Sequence, residues 1–482
     1  MNRFNVRKVA VLGAGVMGAQ IAAHLVNVKV PVVLFDLPAK EGPKNGIVTR
    51  AIDGLRKLKP SPLGVADDAA RIVAANYEEH LHLLSQCDLV IEAIAERMDW
   101  KRDLYAKIAD AVAPHAIVAS NTSGLSITAL SEALPEALRP RFCGIHFFNP
   151  PRYMHLVELI PTATTQPAVL DQLEAFATTT LGKGVVRAKD TPNFIANRVG
   201  IAGMLATIHE AQKFGLTFDV VDDLTGKKLG RASSGTFRTA DVVGLDTMAH
   251  VIRTLQDNLG EGKATADPFA GMYGTPAVLT SLIEKGALGQ KSGAGFYKKV
   301  GRDILRLDAA TGEYVPGGAK AEAIIDRMLK KPAAERLKLL RESSHPQAQF
   351  LWSILRDGFH YAAVHLASIA ETARDVDFAM RWGFGMKQGP FELWQEAGWQ
   401  QVAQWIREDI EAGKALCKAP LPDWVFDGRT GVHTAEGSWS PSAAAYVPQR
   451  DLPVYRRQAF RESVAGVGAN PLKSGTELFR ND

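Results

Sequence analysis

Short apolar runs alternate with amphipathic or polar stretches over residues 1–187. Lys8-Val9-Ala10-Val11-Leu12-Gly13 is almost wholly apolar and ends in glycine, the pattern of a strand buried on both faces. Gly13-Ala14-Gly15-Val16-Met17-Gly18 follows at once, then the helix-forming Ala19–Leu25. A second apolar run, Val30–Phe35, closes on Asp36. Further strands are predicted at Leu89–Ile94, Ala116–Ala119, Phe142–Phe147 and Leu156–Ile160. Strand, glycine turn, helix, strand and acid, in that order, open a doubly wound Rossmann-type fold. The pattern therefore predicts one α/β domain over residues 1–187.

The period changes beyond that point. Asp190-Thr191-Pro192 reads as an N-cap followed by proline at the first helical position. Ile195, Val199, Ala202, Leu205 and Ile208 then recur at helical spacing until Phe214-Gly215. The rest of the chain is expected to be all-α, and it carries an internal repeat. Asp222, Gly230, Phe237 and Gly244 return as Asp377, Gly385, Phe391 and Gly398, at an offset of 155 that falls to 154. Each copy follows a long amphipathic helix, near 192–214 and 347–372. The division expected is a dinucleotide-binding domain, 1–187, and a first helical module, 188–300. A charged, Gly- and Pro-containing linker, 301–346, leads to a second module, 347–427, and an extended tail, 428–482.

Composition narrows the class. By the rule of roughly 150 residues per domain, 482 residues hold about three domains. With 46% hydrophobic and 22% charged residues the chain can bury cores, which excludes a disordered or collagen-like protein. A net charge of +4 over this length is too small to argue for nucleic acid. Cys87, Cys143 and Cys417 have neither disulfide-framework nor zinc spacing, which suits a reducing compartment. No apolar run is long enough to span a bilayer, and the first residues read as a strand rather than a secretory signal, so a cytoplasmic protein is expected. His24, His80, His82, His115, His155, His209, His360 and His365 show no metal-ligand spacing, and no metal is expected. Trp382, Trp394, Trp399 and Trp405 crowd the second module, where a core role is the expectation.

Two constellations carry chemistry. In the first, the glycine turn lies between strand and helix, and Asp36 arrives 18 residues after Gly18. Gly13 permits the tight turn, Gly15 lets the backbone approach a pyrophosphate, and Gly18 brings helix against strand. The helix N-terminus adds partial positive charge. Asp36 would accept from both ribose hydroxyls. No arginine follows it closely, although Lys40 is near, so NAD is favoured over NADP. The second constellation is His146, at the end of an apolar strand, with Glu158 twelve residues on inside Leu156–Ile160. A carboxylate there is costly unless paired, and the Pro150-Pro151 turn folds the two segments together. Such a partner holds an imidazole in one tautomer and strengthens it as a base. On chemistry alone the pair reads equally as a satisfied structural contact and as a catalytic one.

The glycine turn, Ser120-Asn121-Thr122-Ser123, His146-Phe-Phe-Asn149-Pro150 with Glu158, and Asp190-Thr-Pro-Asn-Phe-Ile-Ala-Asn197-Arg198 together resemble the L-3-hydroxyacyl-CoA dehydrogenase family. The likeness covers residues 7–300, and 347–400 resembles a second copy of the family's C-terminal domain. Two copies are typical of multifunctional fatty-acid oxidation proteins. The chain looks like the dehydrogenase part of a bacterial member, with 302–482 similar to the connector that leads to a hydratase domain.

The resemblance implies roles. His146 is similar to the general base and Glu158 to its orienting carboxylate. Ser123 resembles a hydroxyl touching substrate and cofactor, and Asn197 a residue holding the substrate oxygen. Gly13, Gly15, Val16, Met17, Gly18, Asp36, Glu96, Lys101, Ser123 and Asn149 match cofactor-binding positions. Asn193 departs from the family, which usually has glycine there, and this could alter the domain hinge. The counterpart of Asn197 in the second copy is Trp352, so the second module reads as a mimic of a partner subunit. Lys44, Arg50, Arg56, Lys57 and Lys59 lie where the nucleotide of CoA would run, but a solvated helix face explains most of them. The expected partners are an acyl-CoA substrate and a hydratase or thiolase, with a monomer or weak homodimer as the oligomeric state. Two other readings stay open: an NAD-binding scaffold without catalysis that organises a hydratase, and a β-hydroxyacid dehydrogenase acting on free acids.

Overall fold

The computed structural model describes residues 5–263, 265 and 267–455. Its main sheet has eight strands: β1 Val9–Leu12, β2 Val32–Asp36, β3 Ile72–Asn76, β4 Leu89–Glu92, β5 Ile117–Ser120, β6 Phe142–Phe147, β7 Leu156–Ile160 and β8 Gly184–Arg187. Their order is β3-β2-β1-β4-β5-β6-β7-β8, and every neighbouring pair is parallel except β6–β7. The order reverses between β1 and β4, the crevice where open α/β sheets take their ligands. All four residues of β1 are buried because both sheet faces are covered. Val9 and Val11 pack with Ile21, Leu25, Ile52 and Leu173 of the helices on one face. Ala10 and Leu12 pack with Leu104 and Ile108 on the other, and that core runs on into the helical region.

Strands β3 and β8 were not anticipated. Ile-Val-Ala-Ala-Asn is a weak strand former at the sheet edge, and β8 is only four residues long.

Helices Ala196–Lys213 and Pro346–Ile369 pack along each other and hold the two copies of the repeat together. The repeat is legible in hydrogen bonds. Asp222 accepts from the amides of Phe237 and Arg238 at 2.6 and 3.0 Å, and Asp377 from those of Phe391 and Glu392 at 2.9 and 3.1 Å. Each carboxylate caps a short helix, Phe237–Val243 or Pro390–Glu396. Gly235 and Gly389 lie so close to these aspartates that a Cβ would overlap their backbone. Trp352 does not take up a ligand-facing position: it is buried and donates to Asp409 at 2.7 Å. Trp394 and Trp399 stack at 4.2 Å in the core, each indole N–H bonded to a carbonyl.

The region after residue 188 is not all-α. Tyr297–Val300, Asp303–Leu307 and Tyr314–Pro316 form one antiparallel sheet, and His433–Thr434, Gly437–Ser440 and Ala445–Val447 another. Segment 301–346, expected as a linker, carries two of those strands and the helices Ala323–Leu329 and Ala333–Glu342. The expected tail also folds over the part described. Trp439 is buried, and Arg450 and Tyr455 reach back to the buried carboxylate of Glu174, Arg450 at 2.9 Å and the tyrosine hydroxyl at 2.6 Å. The stretch 456–482, including the closing Glu477–Asp482 of the connector resemblance, lies outside the described residues. Cys87, Cys143 and Cys417 are buried free thiols. Among the described residues no helix is long and apolar enough to cross a membrane.

Candidate active site

The glycine turn leaves β1 at the switch point. Gly13 has φ +104°, and a Cβ on it would press on the Ala93 carbonyl; a Cβ on Gly18 would overlap the Gly13 carbonyl oxygen. Gly15 has open space on its Cβ side. It is also the N-cap of helix Val16–Asn27 and supplies no side-chain cap. The first amides of that helix are thus free for an anion. Val16 stands 67% exposed beside them, and Met17 is half-buried. Asp36 accepts from Ala14 N at 2.6 Å and Leu37 N at 2.7 Å, which ties this carboxylate to the glycine turn. This cradle fits a dinucleotide.

His146 and Glu158 face each other because β6 and β7 pair antiparallel with these two residues in register. The imidazole Nδ1 lies 2.8 Å from Glu158 Oε2, with the residues 3% and 0% exposed. The other oxygen, Oε1, accepts from Ile195 N at 3.1 Å and Ala196 N at 2.8 Å. Those amides open helix Ala196–Lys213, so one carboxylate orients the imidazole and caps the helix that carries Asn197. The rings of Phe148 and Phe194 pack on His146 at 4.5 and 5.6 Å. Nε2 is the ring nitrogen that no hydrogen bond of the described residues engages. Asn197 is half-buried one residue past Ala196.

The proposed cap at Asp190 acts elsewhere. Its carboxylate accepts from Ser126 Oγ, Ile127 N and Thr128 N and so holds helix Ile127–Ser131, while Ala196–Lys213 starts four residues later than predicted and takes Glu158 instead.

The loop after β5 is set by Glu96, whose Oε1 accepts from Thr122 Oγ1, Ser123 N and Gly124 N at 2.5, 2.8 and 2.9 Å. Ser123 is thereby held half-exposed. Asn121 accepts from Phe147 N at 2.9 Å, fastening this loop to the strand of His146. Asn149, exposed, accepts from Gln20 of the first helix at 3.2 Å.

Lys101 is not at the surface of the site. Its side chain is 1% exposed, with Nζ 2.6 Å from Glu92 and 3.9 Å from Glu96. Glu92 also accepts from Ser120 Oγ, Tyr105 OH and Ile94 N. Lys101 therefore supports Glu96 from below and cannot touch a ligand without leaving this cluster.

The model for the 3-hydroxyacyl-CoA dehydrogenase NAD binding domain matches residues 8–191, and that for the family's C-terminal domain matches 194–299. The chain belongs to the 3-hydroxyacyl-CoA dehydrogenase family. It is 39% identical over 436 residues to a Bacillus subtilis protein named Probable 3-hydroxyacyl-CoA dehydrogenase, covering 85% of this chain and 54% of that one. A Rickettsia felis protein, named as a candidate fatty acid oxidation complex trifunctional enzyme, is 36% identical over 426 residues, 87% of this chain and 56% of the relative. The chain spans about half the length of these relatives. The crystal structure of 3-hydroxybutyryl-CoA dehydrogenase from Escherichia coli K12 aligns with TM-score 0.65 over 88% of this chain and 98% of that one, at 24% identity, a likeness of fold.

Asn193, where the resemblance implies glycine, has a defined geometry. Asn193 and Phe194 both have positive φ, 63° and 53°. Asparagine is among the few residues other than glycine that tolerate this region. Its side-chain amide also donates to Val251 O at 2.9 Å, a tie to helix Leu245–Leu259 that a glycine would lack. The ring packing of Phe148 and Phe194 and the roles of Asn121 and Asp190 escaped the sequence reading. The one signal available for Asn121 was its place in the Ser-Asn-Thr-Ser run.

Proposed function

We propose that this chain oxidises L-3-hydroxyacyl-CoA to 3-ketoacyl-CoA with NAD. The observation that carries the reading is the buried His146–Glu158 pair tied through Ile195 N and Ala196 N to the helix bearing Asn197. Glu158 accepts the Nδ1 proton and leaves Nε2 as the basic nitrogen. His146 Nε2 takes the proton of the 3-hydroxyl as the C3–H bond breaks. Bound at the glycine turn, NAD supplies the acceptor for the hydride from C3. Ser123 and Asn197 hold the substrate oxygen, and Asp36, Glu96 and Asn149 line the cofactor side. Phe148 and Phe194 keep water from the imidazole. A protein organised this way supplies a ketone product to a thiolase and takes its substrate from a hydratase, so we infer those two partner activities, and a monomer or weak homodimer.

The test is NADH formation from 3-hydroxyacyl-CoA thioesters of several chain lengths, wild type beside His146→Gln. Turnover that falls about 10²–10⁴-fold in the variant, with NADH binding retained, supports the reading. NADH binding without turnover in the wild type would favour the scaffold alternative.

A further inference from the structure

Between the two helical modules lies a narrow cavity of about 120 Å³ that opens to solvent. Its walls come from both copies of the repeat: Met204 and Leu229 from the first, Phe359, Met380, Phe384 and Met386 from the second. Flexible methionines suit an apolar chain of variable length. Gly203 and Gly358 also line it, and a Cβ on either meets nothing within 4 Å, so the cavity reaches the helix backbones.

Among the described residues, Arg231 is the one charged side chain bordering this apolar space, and no carboxylate does. Among the described residues its guanidinium makes no hydrogen bond or ion pair, in contrast to Arg198 and Arg356, which are each held by aspartates. The residue is half-buried, and with no counter-charge beside it desolvation lowers its pKa to about 10, still charged at neutral pH. An unpaired guanidinium beside an apolar cavity is an unfavourable arrangement that an anion would relieve.

We propose that this pocket binds an apolar chain ending in a carboxylate, with the chain among the methionines and the carboxylate on Arg231. Two sources share that chemistry: a free fatty acid, and an acyl-CoA whose acyl chain carries a second carboxylate at its far end. The second source rests on the dehydrogenase reading; the first does not.

Calorimetric titration with decanoate and with decan-1-ol tests the site directly on the full chain. Wild type should bind the acid and not the alcohol. Arg231→Gln should weaken the acid about tenfold to a hundredfold, Arg231→Lys should restore part of it, and Gly358→Leu should block the cavity with Arg231 intact. In the second arm, kcat/KM is compared for 3-hydroxydecanoyl-CoA and its analogue carboxylated at C10, with 3-hydroxybutyryl-CoA as the short control. If the substrate is the source, Arg231→Gln lowers kcat/KM for the carboxylated analogue alone. If a free fatty acid is the source, the titration responds and that ratio does not. Binding of acid and alcohol alike, or no response to Arg231→Gln in either arm, overturns the proposal. A wild type without turnover on any thioester counts against the dehydrogenase reading and leaves the titration to decide this one.

Discussion

Replacing Glu158 by glutamine removes a charge while keeping nearly the same shape. In the native site Oε1 serves two amides, Ile195 and Ala196, and Oε2 faces His146 Nδ1 at 2.8 Å. A carboxamide has one acceptor oxygen. The two amides can be satisfied only by that oxygen, which leaves the NH₂ pointing at Nδ1. The imidazole must then accept at Nδ1 and carry its proton on Nε2, the wrong tautomer for a base. An acid-to-amide change behind a catalytic histidine in serine proteases costs about 10⁴ in kcat for this reason, and a loss of about 10³–10⁴ is expected here. Stability should fall by only about 1.5–3 kcal/mol, because one charge-assisted bond goes and both amide bonds stay. The assay pairs kcat/KM with urea unfolding and NADH affinity for Glu158→Gln, His146→Gln and the double variant. The double variant should be no slower than the worse single one, since both act on one nitrogen. Rates within tenfold of wild type in a folded Glu158→Gln protein would refute the tautomer argument. A rate loss accompanied by lost NADH binding would refute it too, by showing that the domain had failed rather than the base.

Gly15→Ala should fold normally and weaken NADH binding, because its Cβ meets no protein atom, whereas Gly18→Ala should also destabilise the domain through overlap with the Gly13 carbonyl; fluorescence titration and thermal unfolding separate the two. Lys101→Met strands the buried carboxylate of Glu92 and should cost about 3–5 kcal/mol in denaturant unfolding; unchanged stability with a raised KM for NAD would instead place Lys101 on the cofactor. His24, 8% exposed and bonded to the Leu181 carbonyl, has its pKa pushed by burial from 6.5 to about 4. The unfolded chain binds the extra proton in that interval, so stability holds above pH 6.5 and falls by about 3 kcal/mol as pH drops towards 4. His24→Gln should flatten that part of the pH–stability curve, and an unaltered curve would count against the assignment.

Local pattern carried a good deal of this protein. An apolar run, a glycine turn and an acid at set spacing specify a strand, a helix start and a second strand, because each depends on neighbours in the chain. The pairing of His146 with Glu158 was legible for a similar reason: the two are twelve residues apart across one turn, and a carboxylate inside an apolar strand demands a nearby partner. The duplicated helical module showed in Asp, Gly and Phe positions, since a capping carboxylate and the glycine that lets it approach must recur together.

What distant segments decide together could not be read that way. Glu158 caps a helix that begins 38 residues later, Asp190 caps one that begins 63 residues earlier, and Glu92, the partner of Lys101, is shared with Ser120 from 28 residues further on. The small sheets after residue 296 are made of strands too short to show a period and are fixed by what they pack against. Arg231 and its cavity depend on how two repeats meet. Burial and electrostatic partnering are sums over everything that surrounds a group, and only the assembled fold supplies those surroundings.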